Sequence, residues 1–388
     1  MATIVRKRLL IEGWRHLAHS YALVAQAHCL SLLKRTKMDL RFRELPYFAS
    51  DWKPTPGLFA PGEERALDGI PAPENEFEPD ATFTLRPERP EFAAPRTGRR
   101  LALATAEYRV LLAEHRSGLR SGIDVPPTVD IVTPSHWSAL AFIRFGLASE
   151  RVHVVPLGID PAVHRIDPVL RLGMRQRLGV GEDFLFMSVG AMTWNKGLDL
   201  LLTAFGRILE THPTSRLLLK GADALYPSKT YVAEVMNDLP AQTREAIARR
   251  LIYVGGILPA AKMGELLRAA DCYVSPYRAE GFNMPVLEAA ACGVASICTA
   301  QGPTDEFTDE YSAMRIRSSI GAQPLSPTET GDVLVPDVDH LIALMREACE
   351  NPAATRARGV LASRHAHQRF TWDRVTDLLV ERMFGDGR

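Results

Sequence analysis

The sequence has few long apolar runs, few cysteines and no net charge, and each shortage narrows what the chain can be. The most apolar early stretch, residues 21–33, is broken by Gln26 and His28 and is too short to span a bilayer. The opening "MATIVRKRLLIEGWRH" lacks the apolar core and small-residue cleavage site of a secretory signal. Five cysteines, Cys29, Cys272, Cys292, Cys298 and Cys349, are an odd number with no metal-ligand spacing. They argue against a disulfide framework and for a reducing, cytoplasmic setting, most of them as small buried hydrophobes. Lys plus Arg and Asp plus Glu both number 46, so no global field points to nucleic acid. Charge is uneven all the same. Residues 1–43 hold nine Lys/Arg and two acids, and residues 44–91 hold four and eleven. The basic block could touch the inner face of an anionic membrane as a peripheral contact; a solvated helix face balanced by the acidic block is the simpler account.

What is present is the grammar of a two-domain α/β protein. A chain of 388 residues exceeds one ordinary core. Short apolar runs, "RLLIEGW", "DLRFREL", "ATFTL", "RLALATA", "VDIVTPS" and "VHVVPLG", read as strands, with a helix from Tyr21 to about Lys34. Residues 46–95 carry ten of the 27 prolines and predict loops and short elements. From "DFLFMSVG" onward, strands and helices alternate: "RLLLKG", "LIYVGG", "DCYVSP" and "VASICT" are strands, and "KGLDLLLTAFGRILE" and "MGELLRAA" are helices. Strands this apolar predict parallel sheets covered on both faces, with ligands at the strand carboxyl ends. The boundaries expected are 1–159, 160–370 and a last helix over 371–388, with Thr371 or Asp373 as its cap.

Three stretches carry candidate chemistry. "SPYRAEGFNMPVLE" ends a strand and starts a helix at about Pro285. Gly281 just upstream of that helix leaves unpaired N–H groups facing an anionic or hydroxyl-rich ligand. Glu288, one turn in, can accept from a diol, and Glu280 on the loop can meet the other end of the same ligand. Taken singly, either glutamate could be a capping or exposed carboxylate. "SVGAMTWNKG" places Gly190 and Lys196 before a second helix, a compact charge suited to phosphate, without Walker spacing. "LLLKGAD" ends a strand in Gly221, which permits close backbone approach.

Together with "VDIVTPSHW", "VHVVPLGID", "LIYVGGILPAAKMGELLRAADCYVSPYRAEGFNMPVLEAAACGVASI" and the terminal "FTWDRV", these blocks resemble the group-1 family of retaining nucleotide-sugar glycosyltransferases, most strongly over residues 128–320. The resemblance implies a GT-B-like fold, two Rossmann-like parallel-sheet domains facing across a cleft, with the C-terminal domain on the nucleotide-sugar and the last helix crossing back. It assigns sugar hydroxyls to Glu280, ribose to Glu288, diphosphate to Lys196, and donor contacts to Gly190, Gly281, Phe282, Asn283 and Met284. Protein cations and helix N-termini for the leaving diphosphate fit a metal-independent site with no cofactor, only a nucleotide diphosphate-sugar co-substrate and a carbohydrate or lipid-linked acceptor.

Two departures stand out. The family often has Arg after the glycine of "VG", and here that residue is Ala191. The first strand–helix turn, "GWRHLAHS", is not glycine-rich, and no His follows the fourth strand, where "ATAEYRVL" offers Glu107. His19 and His16 in the first turn and Glu107 are therefore the acceptor-side candidates. His19 is also a candidate for proton handling, and all three could equally be capping or loop groups. His136 and Trp137 read as packing residues, and His365 and His367 do not share a helix face. An epimerase or phosphorylase of the same fold, and a non-catalytic nucleotide- or glycan-binding module, are the alternatives.

Overall fold

The computed structural model describes residues 6–86 and 90–385. The chain divides into two compact units. Unit 1 runs to Gly158 and also takes in Pro324–Gly331 and the chain from Trp372; unit 2 is Ile159–Gln323 and Asp332–Thr371.

Unit 1 holds six parallel strands: β1 (Lys7–Gly13), β2 (Met38–Glu44), β3 (Ala81–Leu85), β4 (Arg99–Leu103), β5 (Val129–Thr133) and β6 (Val152–Val154). They lie in the order β2-β1-β3-β4-β5-β6. Helix α1 (Ser20–Leu33) follows β1, with α2 (Pro61–Asp68) and α3 (His136–Phe145) further on. One face of the sheet is apolar, built on Leu9, Ile11, Phe83 and Leu101, all fully buried. The other face departs from the expected apolar cover. "KRLLIEG" and "MDLRFRE" alternate, so β1 and β2 present Arg8, Glu12, Asp39, Arg41 and Arg43 on it.

Unit 2 has β7 (Leu185–Val189), β8 (Arg216–Lys220), β9 (Leu251–Val254), β10 (Cys272–Ser275), β11 (Ala295–Thr299) and β12 (Ala313–Ile316). These six parallel strands lie in the order β12-β11-β10-β7-β8-β9. A hairpin, β13 (Ser318–Ser326) and β14 (Glu329–Pro336), follows. The helices are α4 (Pro168–Leu178), α5 (Leu198–Thr211), α6 (Ser228–Asp238), α7 (Ala241–Arg250), α8 (Ala260–Ala269), α9 (Met284–Ala291), α10 (Val338–Glu350) and α11 (Pro352–Arg369). In α5, Leu198, Leu201, Leu202, Phe205 and Ile208 recur at helical spacing and pack on Phe186, Leu217, Leu219 and Val274 of the sheet. Cys272, Cys292 and Cys298 are buried among such residues, as Cys29 is in unit 1.

The chain ends in α12 (Trp372–Phe384), which belongs to unit 1 and packs on α1. Buried His28 Nδ1 lies 2.9 Å from Thr376 Oγ1, and Ser31 Oγ donates to Asp373 at 2.6 Å. Lys34 and Arg35 pair with Asp373 and Asp377. No helix among the described residues is long and apolar enough to cross a membrane.

Candidate functional site

The strand order of unit 2 places its site. The chain begins the sheet at β7, adds β8 and β9 on one side, then returns to add β10, β11 and β12 on the other. Neighbours β7 and β10 are thus the switch point, where loops leaving the carboxyl ends part to opposite faces and open a crevice. The loop after β7 carries Gly190 to Lys196, and the loop after β10 carries Glu280 to Asn283. Two motifs far apart in the sequence become adjacent for this topological reason.

Backbone bonds lock the two loops together. Arg278 N and Ala279 N donate to Asn195 O at 2.7 and 3.2 Å, and Asn195 Nδ2 returns a bond to Ala279 O at 3.3 Å. The Arg278 guanidinium grips Asp199 through two bonds of 2.7 and 2.6 Å and donates to Trp194 O at 2.9 Å. Gly197 sits between the loops at φ +72°, where a Cβ would lie 2.1 Å from Pro276 O. Only glycine satisfies both demands.

On this frame Lys196 Nζ meets Glu280 Oε1 at 2.6 Å. Glu280 is 8% exposed, so the pair is a largely shielded charge couple. Asn283 adopts a left-handed conformation at φ 69° and anchors to Ser275 Oγ at 2.9 Å, turning the chain into α9. Neither Asn283 nor Gly197 caps its helix with a side chain. The N-termini of α5 and α9 therefore keep the character of anion sites. Phe282 is buried with its ring 4.9 Å from that of Phe307, which leaves its backbone to face a ligand. A Cβ added at Gly190 would lie 3.7 Å from Lys196 Cγ.

Glu288 follows one turn into α9. Burial pushes its carboxyl up to about 7. His164 Nε2 is 3.8 Å from Glu288 Oε1, but burial and the nearby Arg268 charge hold that imidazole down at about 3, so it is neutral and does not offset the glutamate. Buried Tyr273 hydrogen-bonds Val189 at the end of β7, and the charges of both Glu280 and Glu288 raise its phenol further after burial itself. One phenol thus senses both carboxylates.

Two residues here escaped the sequence reading. His164 lies in "PLGIDPAVHR", far along the chain, and carries no pattern. Lys220 ends β8 opposite Val189, is buried with its Nζ on Gly221 O, and has its pKa lowered by burial. "LLLKGAD" drew attention only for its glycine. The chain's one Asp-x-Asp triplet, Asp337-Val338-Asp339, starts α10. Asp337 caps that helix through His340 N at 2.9 Å and pairs with Arg317.

The remaining candidates belong to unit 1, whose switch point is between β1 and β3. His16 and His19 lie on the loop leaving β1. His16, at φ 54°, faces Glu64 and Asp68 of α2 at 3.4 and 2.9 Å. His19 is the N-cap of α1, its Nδ1 accepting from Tyr21 N at 3.3 Å. Its ring lies 5.4 and 5.3 Å from Trp14 and Trp52, and burial brings its pKa down to about 4. Glu107 accepts from the Trp137 indole through its backbone carbonyl at 2.7 Å.

These two sheets define the class: the fold is GT-B. It superposes on the Anabaena protein HepE, solved with UDP and glucose, with a TM-score of 0.69 at 17% identity, covering 97% of this chain and 99% of that one. WaaG, a glycosyltransferase of lipopolysaccharide biosynthesis, superposes at a TM-score of 0.65 with 15% identity over 98% of this chain and all of that one. Residues 183–351 match the family described as Glycosyl transferases group 1. Mannosylfructose-phosphate synthase of Agrobacterium fabrum is 30% identical over 162 residues, 41% of this chain and 34% of the relative. A GDP-mannose-dependent phosphatidylinositol monomannoside mannosyltransferase of Mycolicibacterium smegmatis is 25% identical over 288 residues, 71% and 67% of the two chains. The chain spans between a third and about half of the first curated relatives it matches.

Proposed function

We propose that the protein is a retaining glycosyltransferase that needs no metal and moves a sugar from a nucleotide diphosphate-sugar to a glycan, lipid-linked or small-molecule acceptor. The observation that carries this reading is the Lys196–Glu280 couple at 2.6 Å, set between two helix N-termini at the switch point. In the donor complex Lys196 transfers its charge to the diphosphate, and Glu280, released from it, accepts from sugar hydroxyls. Glu288 accepts from the ribose. UDP and UDP-glucose in HepE support a donor of this class.

The reaction breaks the bond between the anomeric carbon and the departing phosphate, and stabilising that phosphate is the largest electrostatic task. Lys196 and the N-terminus of α5 perform it, with Lys220 as the second cation in place of the missing Arg at Ala191. The acceptor oxygen attacks on the face the diphosphate leaves, and its proton passes to the departing phosphate. His19, a neutral imidazole at pH 7, and Glu107 and His16 are acceptor-side groups in this reading.

A panel of UDP-, GDP- and ADP-sugars, with release of nucleotide diphosphate as readout, tests the proposal. Release from at least one donor, lost in Lys196→Ala, is the expected result. Binding without release would make the chain a nucleotide-binding module.

A further inference from the structure

The polar face of the unit 1 sheet holds a second candidate site, independent of the donor reading. Glu12 of β1 is in register with Arg43 of β2 and Thr84 of β3, and Arg100 of β4 pairs with Thr82. The segments leading into β3 and β4, residues 73–79 and 95–97, cover these side chains and leave a cavity of about 330 Å³. That is within the size range of small-molecule pockets.

The bonding inside the cavity is lopsided. Glu12, 5% exposed, accepts from Arg43 Nη1 at 2.7 Å, Thr84 Oγ1 at 2.9 Å and Arg100 Nη2 at 3.2 Å. Both its oxygens are occupied. Arg100, 9% exposed, also donates to Ala93 O, and its Nε, shielded from solvent, has no partner among the described residues. Among the described residues Arg96 reaches only Asn75 O, at 3.4 Å, and Arg43 uses one of its nitrogens, on Glu12. The lining carries Arg43, Arg96 and Arg100 against Glu12 and Glu74, one positive charge in excess. Unspent capacity is therefore donor capacity on guanidinium groups, which match the geometry of phosphate and carboxylate. Phe77, Leu10 and three prolines supply apolar wall.

We propose that this cavity binds a small molecule of monosaccharide size bearing one phosphate or carboxylate group. The oxyanion sits on Arg43, Arg96 and Arg100, and the carbon skeleton lies against Phe77. The site is on the sheet face rather than at the strand carboxyl ends, so its occupant need not be a reactant.

The test is calorimetric titration of the full chain with glucose 6-phosphate, glucuronate and uncharged glucose. It is repeated on the Arg43→Gln/Arg96→Gln double variant and on Lys196→Ala. Both replaced arginines are well exposed, so the double variant should fold, and an unchanged melting temperature verifies it. At least one anion should bind, glucose should not, the double variant should weaken binding roughly tenfold or more, and Lys196→Ala should leave it unchanged. Phosphate and carboxylate arms tell which oxyanion the site prefers. No binding of either anion up to roughly 10 mM, weak even for a specific site, overturns the proposal. So does glucose binding equally well, an unaffected double variant, or loss of binding in Lys196→Ala.

Discussion

Glu288 illustrates how one buried group couples stability to ligand binding. Its carboxyl holds a proton to about pH 7 when folded and to the ordinary carboxylate range when unfolded. Between those values the folded state binds more protons, so this group lowers stability as pH rises toward 7 and keeps it low above. Glu288→Gln should therefore melt higher than the parent at pH 8, by about 1–3 kcal/mol, with the gain vanishing near pH 4. Donor affinity should move oppositely. A ribose diol needs the ionised carboxylate, so parent affinity falls as pH drops through 7, and the Gln variant binds more weakly by roughly 1–3 kcal/mol with a flat profile. Parallel pH profiles for nucleotide binding in the two proteins would remove Glu288 from the ribose. Lys196→Ala should lower turnover about 100-fold or more, and Lys220→Met should lower it as well while nucleotide-free stability rises, since a buried ammonium is lost. Turnover unchanged in Lys220→Met would show that its charge does not reach the diphosphate. For His19 the two roles separate cleanly. As a cap alone it contributes about 1 kcal/mol, so His19→Ala would melt earlier at full turnover per folded molecule. Loss of transfer with nucleotide binding intact is the expected outcome.

At the scale of elements, the site is a junction between two strand–loop–helix units. Arg278, Asn195 and Gly197 hold the β7–α5 and β10–α9 loops in contact, and no ligand-facing group has to do so. Gly197→Ala tests that frame. The alanine must take φ near +72° and place its Cβ on Pro276 O, so unit 2 should lose roughly 1–3 kcal/mol or more. Lys196, its neighbour, should shift with the loop, weakening donor binding. A variant that melts like the parent and binds donor normally would show that the loops are positioned from elsewhere.

At the scale of the whole molecule, the chain first leaves unit 1 at Gly158, touches it again over Pro324–Gly331 and re-enters it for the last time at Trp372. Ile159 and Thr371 form a bridge, and the Gly158 backbone lies so close to Trp372 that a Cβ would come within 2.8 Å of its ring. Helix α12 then buries Val375, Leu379 and Met383 in unit 1. A chain ending at Phe370 should lose roughly 5 kcal/mol of unit 1 stability from those three side chains alone. Whatever nucleotide diphosphate the donor panel identifies should still bind unit 2. Proteolysis that cuts both units at the parent's rate would contradict this role for α12.

The sequence by itself determined the elements whose apolar residues keep one period. Eleven of the twelve parallel strands of the two sheets are of this kind, with β12 alone going unread, and α5 and the α9 turn follow the same logic, because a strand or helix that buries one face writes its period into the chain. It also supplied Glu280, Glu288 and Lys196 as candidates, since Gly and Pro beside a strand end mark a helix N-terminus. Other elements leave no such record. Helix α11 packs through Gly359, Ala362, Ser363 and Ala366 and has no large apolar stripe, and the β13–β14 hairpin exposes Ile320 and Val335. The polar face of β1 and β2 was visible as alternation in "MDLRFRE", but not what it encloses. Tertiary structure alone decided that Lys196 meets Glu280, that His164 lies beside Glu288, that Lys220 ends β8 opposite Val189, and that Arg43 and Arg100 converge on Glu12. Those pairings depend on strand order, and strand order is set by how helices and sheets pack across the fold, which no local period encodes.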